Sequence, residues 1–123
     1  MPLSRLQHIN IRCSDLEASR QFYEALGLRA GTRPPFASQG YWLYLDSEPV
    51  VHLVQRPADE SAQNGGTGNL DHVAFEGRDV EETRLVLRVL GLVFREAVVP
   101  RDGVVQIFVS DPDGVTLEMN FAP

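Results

Sequence analysis

The 123-residue sequence predicts an α+β fold made of two tandem βαβββ modules. The first observation behind this is an internal repeat. Moved along itself by 64 positions, the chain sets residues 6–28 on 70–92 with eight identities in 23 places. They include Leu6 on Leu70, His8 on His72, Asp15 on Asp79, Arg20 on Arg84 and Leu26-Gly27-Leu28 on Leu90-Gly91-Leu92. A shift of 66 then sets Val51-His52-Leu53 on Leu117-Glu118-Met119. The second observation is that hydrophobic periodicity passes from two to about 3.6 and back to two in the same order in both halves. The third is the composition. At 43% hydrophobic and 23% charged residues it is that of a single soluble domain, long enough to bury on the order of two-thirds of its unfolded surface.

The elements follow in order. Arg5–Arg12 alternates as a strand does, with Ile9 and Ile11 on one face and Leu6, His8 and Asn10 on the other. Ser14 with Glu17 three residues on resembles a capping box, and the helix it opens runs to Gly27, a natural C′ residue. Strand-like runs follow near Leu28–Thr32, at Tyr41–Leu45 and at Val50–Gln55, with Gly31-Thr32-Arg33-Pro34-Pro35-Phe36 as an intervening loop. The second module repeats the order: a strand over Leu70–Glu76, Asp79 with Glu82 opening a helix that ends at Gly91, then strands over Leu92–Val99, Val104–Val109 and Val115–Phe121. Asp111-Pro112-Asp113-Gly114 is a tight-turn sequence between the last two. Module one thus covers 1–57, a linker 58–68 and module two 69–123. The linker glycines at 65, 66 and 68 make no phosphate loop, because no lysine accompanies them and no helix follows.

Composition excludes several functions. A net charge of −6 lacks the basic footprint of a nucleic-acid binder or a polybasic membrane anchor. All eleven basic side chains are arginine, which removes lysine Schiff-base chemistry and a Walker-type phosphate loop. The single Cys13 forms neither an internal disulfide nor a cysteine-rich zinc site. With no secretory h-region and no membrane-length apolar run, the expectation is a cytoplasmic protein.

Three histidines remain, and the repeat gives them matching places. His8 and His72 share a position on the first strand of each module, and His52 and Glu118 share one on the last. Strand parity turns each away from its apolar neighbours and from the helix side. If the modules pair about a pseudo-twofold axis, the four side chains converge. Three imidazoles and a carboxylate suit a divalent transition metal such as Ni, Zn, Co, Mn or Fe.

These residues carry a family resemblance. Leu6-Gln7-His8-Ile9, Phe22-Tyr23-Glu24-Ala25-Leu26-Gly27-Leu28, Leu70-Asp71-His72-Val73-Ala74-Phe75 and Asp111-Pro112-Asp113-Gly114-Val115-Thr116-Leu117-Glu118 resemble the vicinal oxygen chelate superfamily. That superfamily contains glyoxalase I, type I extradiol dioxygenases, fosfomycin-resistance proteins and bleomycin-binding proteins. The resemblance implies that the modules form an incomplete eight-stranded barrel around a metal, in a chain that is commonly a homodimer. In a swapped pairing, His8 and His52 of one chain would join His72 and Glu118 of the other; pairing within one chain stays equally open.

Matching by residue sorts the activities. Glyoxalase I resembles this chain at His8, His72 and Glu118, and usually carries a carboxylate where His52 stands. Arg12 matches a glyoxalase arginine that binds a glutathione carboxylate, whereas Arg56 replaces a glutathione-contacting asparagine. Three neutral imidazoles and one carboxylate leave a divalent ion a net charge of about +1, which favours an anionic enediolate or similar oxyanion. The extradiol iron triad maps onto His8, His72 and Glu118, with His52 as an acid/base. The catalytic tyrosine of that family falls at Phe108, which has no hydroxyl. Fosfomycin-type transfer fits the three core ligands but finds no lysine for its phosphonate.

The resulting expectation is a glyoxalase-like, metal-dependent lyase or isomerase acting on a small oxygen-chelating substrate. His8, His52, His72 and Glu118 are the candidate ligands, with Glu118 and His52 as candidate catalytic groups. An extradiol-type dioxygenase is the first alternative, and a non-catalytic drug-binding protein of the bleomycin-resistance kind the second. Strand parity places Trp42, Tyr44, Gln106 and Phe108 as pocket walls beside Arg12, with Phe36 as a cover.

Overall fold

Each half of the chain folds as its periodicity requires. The computed structural model describes residues 2–58 and 67–123, and the chain divides into two compact units, 1–62 and 63–123. Most of the expected linker, 58–68, lies outside the described residues. In unit 1 the strands are β1 (Ile9–Cys13), β2 (Arg29–Gly31), β3 (Gly40–Leu45) and β4 (Glu48–Gln55), with helix α1 (Leu16–Ala25) after β1. In unit 2 they are β5 (Val73–Glu76), β6 (Phe94–Val98), β7 (Val105–Ser110) and β8 (Thr116–Phe121), with helix α2 (Val80–Val89) after β5. The βαβββ order occurs twice. The strands form two separate four-stranded sheets, ordered β1-β4-β3-β2 and β5-β8-β7-β6, and not one hydrogen-bonded barrel.

The repeat extends to the register of the ladders. β1 runs parallel to β4 with Ile9 opposite Val51 and Asn10 opposite His52. β5 runs parallel to β8 with Val73 opposite Leu117 and Ala74 opposite Glu118, the same pairs moved by 64 and 66. On the other side, Trp42 faces His52 and Phe108 faces Glu118. One sheet face packs under each helix. In unit 1, Ile11, Cys13, Leu43, Val51 and Leu53 lie buried with Leu16, Phe22 and Tyr23 of α1. In unit 2, Ile107, Val109, Leu117, Met119 and Phe121 are buried, and α2 contributes Leu87.

Helix ends are set by local chemistry. Asp79 caps α2 as expected, accepting from the Glu82 amide at 3.0 Å. In α1 the cap is Asp15, which accepts from the Ala18 amide at 3.1 Å, and not the expected Ser14. A carboxylate one residue later reaches the orphan amides of the first turn, which makes both caps repeat-matched aspartates. Gly27 and Gly91 end the helices at φ of +109° and +69°. At the β7–β8 turn, Asp111 Oδ1 accepts from the amides of Asp113 and Val115 at 2.9 and 2.8 Å.

The first strand of each unit is shorter than the alternation suggests. β1 starts at Ile9 and β5 at Val73, so His8 and His72 each stand one residue ahead of their strand. The two imidazoles therefore sit on matching strand entries.

Candidate functional site

The residues singled out from the repeat meet as two pairs, one in each unit. In unit 1 the His8 and His52 rings stack at a centroid distance of 3.8 Å with 12° between planes. Trp42, opposite His52 on β3, stacks on its other side at 4.2 Å, also at 12°. His52 is only 8% exposed. That burial, then the neighbouring His8 ring and the Arg33 charge, hold its pKa below the usual imidazole value, against an opposing pull from the Pro49 carbonyl.

In unit 2 the His72 Nε2 lies 3.3 Å from Glu118 Oε1. Its Nδ1 is 2.8 Å from Asp71 Oδ2. The Asp71 hydrogen bond, more than the Glu118 charge, raises the His72 pKa, with a smaller desolvation effect against it. Glu118 Oε2 accepts from the Asn120 amide group at 2.8 Å, and Asn120 Oδ1 accepts from Gln106 at 3.1 Å. Gln106 therefore reaches Glu118 through Asn120. Phe108 lies between Glu118 and Arg95 in the ladder, with the Arg95 guanidinium 4.0 Å above its ring.

The donor chemistry of these pairs fits a divalent ion. His8 and His52 each set one ring nitrogen against an oxygen acceptor, His8 Nδ1 at 3.0 Å from Gln7 Oε1 and His52 Nε2 at 3.0 Å from the Pro49 carbonyl, while His72 sets Nδ1 on Asp71 and turns Nε2 to the candidate ligand Glu118. A ring that donates from one nitrogen presents the other as a lone pair, the usual outer arrangement of a metal-bound histidine. Among the described residues no group of three His, Cys, Asp or Glu side chains is gathered as a metal site. His8 and His52 lie in unit 1, and His72 and Glu118 in unit 2.

A cleft of about 340 Å³ opens beside the unit 1 pair, lined by His8, Asn10, Arg33, Phe36, Trp42 and His52 among others. Trp42 and Phe36 are among the residues that line this cleft. Tyr44 does not line this cleft. A bulge between Leu43 and Tyr44 shifts the register, and the Tyr44 hydroxyl donates to the Thr32 carbonyl at 2.6 Å. Arg12, opposite Val54 on β1, is exposed and does not line it either. Sequence reasoning passed over Asn120, Asp71, Gln7 and Arg33. For Asn120 there was a signal, since it lies two residues beyond Glu118 on the same strand face.

Comparison with known proteins agrees with this architecture. The sequence pattern of the Glyoxalase/Bleomycin resistance protein/Dioxygenase superfamily matches residues 5–119. The chain belongs to this superfamily. A curated relative, Glyoxylase I 4 of Arabidopsis thaliana, is 27% identical over 95% of this chain and 70% of its own length. Among solved structures, a glyoxalase/dioxygenase from Nostoc punctiforme superposes with a TM-score of 0.81 at 20% identity, covering 99% of this chain and 93% of that one. A fosfomycin resistance protein from Listeria monocytogenes gives 0.76 at 19% identity, with 98% and 95% covered. A lactoylglutathione lyase from Agrobacterium tumefaciens gives 0.66 at 19%, with 98% and 96% covered. At these identities the superpositions speak for the fold. Among the described residues, no helix is long and apolar enough to cross a membrane.

Proposed function

We propose that this superfamily member is a metal-dependent lyase or isomerase of the glyoxalase kind, acting on a small substrate that presents one or two adjacent oxygens. The observation that carries this is the matched pairing: His8 against His52 in one unit and His72 against Glu118 in the other, at repeat-equivalent positions. His8, His52, His72 and Glu118 are the proposed ligands of a Ni, Zn, Co, Mn or Fe ion. Such an ion would polarise the substrate oxygens and favour the oxyanion formed as a carbon-bound proton leaves.

The chain's own groups do the rest. Glu118 and His52 are the proposed proton carriers, Glu118 with one oxygen kept in place by Asn120. Gln7, Pro49 and Asp71 keep the three imidazoles in a ligating tautomer. Trp42 and Phe108 form apolar walls on the strands next to His52 and Glu118. Where an extradiol dioxygenase has a tyrosine, Phe108 offers no hydroxyl to a catecholate, so the lyase or isomerase reading is preferred. Assembly as a homodimer, common in this superfamily, is part of the same proposal.

Metal uptake is the test. Protein stripped with chelator and reloaded should bind about one ion per ligand set, and Glu118→Gln should weaken that binding strongly. Hemithioacetal turnover would favour the glyoxalase reaction, and oxygen uptake with catechols and Fe(II) the dioxygenase. Wild-type protein that takes up none of these metals would overturn the ligand assignment and favour a non-catalytic drug-binding role.

A further inference from the structure

The unit 1 cleft contains a cation that no carboxylate among the described residues answers. Arg33 precedes Pro34, which restricts its backbone to extended conformations. Its guanidinium is folded back onto neutral groups: Nη1 donates to the Ser38 carbonyl at 3.0 Å and Nη2 to Ser38 Oγ at 3.1 Å. The Phe36 ring lies beneath it at 5.1 Å. Room for this arrangement comes from Gly40, where a Cβ would approach Nη2 to 2.9 Å and the Leu53 carbonyl to 2.3 Å. The Arg33 Nε is buried and has no hydrogen-bond partner. Among the described residues no carboxylate pairs with Arg33, and no acidic residue lines the cleft, although the whole chain carries −6. A guanidinium answered only by Ser38 oxygens, in a cleft with no carboxylate among its described lining, in an acidic protein, is a recognition element for an anion.

The remaining walls describe the body of that anion. Phe36 and Trp42 face the cleft with ring centroids 6.4 Å apart and planes at 45°. Their faces suit a flat apolar group, and about 340 Å³ is at the small end of ligand pockets. His8 and His52 line the same cleft.

We propose that this cleft binds a small organic carboxylate with a planar apolar body, and that Arg33 selects for the acid over its neutral analogues. The carboxylate takes up guanidinium donors now spent on Ser38, while the ring rests against the apolar wall made by Phe36 and Trp42. This names the substrate class of the proposed enzyme. It rests on that reading only in making the ligand a substrate, since recognition by Arg33 needs no metal.

Trp42 is the chain's single tryptophan, so its fluorescence reports on the cleft directly. Chelator-treated protein should be titrated with mandelate, with its neutral isostere mandelamide, and with inorganic phosphate. Mandelate should perturb Trp42 saturably and bind about tenfold or more tightly than mandelamide. Arg33→Gln should abolish that preference, and Arg33→Lys should restore part of it. Equal binding of acid and amide by the wild type overturns the proposal without recourse to any variant. So does unchanged mandelate affinity in an Arg33→Gln protein with a native circular dichroism spectrum. Phosphate competing as well as mandelate would overturn the planar-body half. If mandelate binds through Arg33 while the wild type takes up no metal, the metal reading fails and anion recognition stands; metal uptake without acid preference gives the converse.

Discussion

The two units have one backbone plan and two chemistries. Their parallel ladders pair equivalent residues, Asn10 with His52 and Ala74 with Glu118, and their helices begin at equivalent aspartates. What stands on that plan has diverged. Unit 1 stacks three flat rings, His8, His52 and Trp42, around a buried imidazole. Unit 2 surrounds a more exposed His72 with carboxylates and amides: Asp71, Glu118, Asn120 and Gln106. The same register thus holds two stacked imidazoles in one unit and an imidazole–carboxylate pair in the other.

The strand ends show a second divergence. In unit 1, Gln55 fills the space beside Cys13; its Oε1 accepts from the Leu16 amide and its Nε2 donates to the Cys13, Ser14 and Arg56 carbonyls. The equivalent of Gln55 is Phe121, and that of Cys13 is Gly77, where a Cβ would lie 2.2 Å from the Phe121 ring. A polar clamp in one unit corresponds to a ring on a glycine in the other. Both fasten the end of the first strand where the chain turns toward the helix.

The largest expected effect breaks the imidazole–carboxylate pair. Glu118→Gln removes the one charged ligand, and metal affinity measured by competition with a chromogenic chelator should fall by about 100-fold or more; Asp71→Asn, acting through His72, should cost about 10- to 100-fold. Cavity mutations compare the cores. Leu43→Ala in unit 1 and Leu87→Ala in unit 2, both fully buried, should each cost about 2–5 kcal/mol in urea unfolding. The clamps give a sharper contrast. Gly77→Ala should destabilise by about 1–3 kcal/mol through the Phe121 clash and be relieved by Phe121→Leu. Gln55→Leu should cost a similar amount by stranding the Leu16 amide, with no neighbouring truncation able to relieve it. Removing either cap, Asp15→Ala or Asp79→Ala, should cost about 1 kcal/mol.

The smallest effect is pH-dependent. The Tyr41 hydroxyl, then Arg20, hold the Glu17 carboxyl below its ordinary range. A depressed folded value means that the contribution is present above the unfolded pKa of about 4.3 and is lost as pH falls through the folded value. Tyr41→Phe should therefore flatten the acid limb of the stability curve. It should leave untouched the part due to Glu96 in unit 2, which Arg84 holds down in the same way. An acid limb identical to wild type would remove Glu17 from this account.

Much of this arrangement was legible in the residues. Period-two and period-3.6 patterns are local, so the strand and helix order could be read directly, and the shifts of 64 and 66 made the positions of the two ladders equivalent, while which strands pair came from the fold. Asp79 was legible as a cap because Glu82 follows at the right spacing. Asp15 was not, because Ser14 offers the same chemistry one residue earlier and only backbone geometry chooses between them.

Long-range contacts required the fold. Alternation carries on through His8 and His72, but the paired ladders begin only at Ile9 and Val73, and their partners Val51 and Leu117 are distant in sequence. Tyr44 has the parity of Trp42, yet a bulge that no local pattern announces turns it to Thr32. Arg33 reads in sequence as a loop arginine before two prolines. Its place in the cleft depends on Ser38, on the absent Cβ of Gly40 and on the Leu53 carbonyl of a neighbouring strand. Sequence by itself determined which residues could be ligands, because side-chain chemistry and strand parity are local properties. Tertiary structure decided which of them touch and which charge is left unanswered, because hydrogen bonds and ring stacks depend on positions that only chain folding brings within a few ångströms.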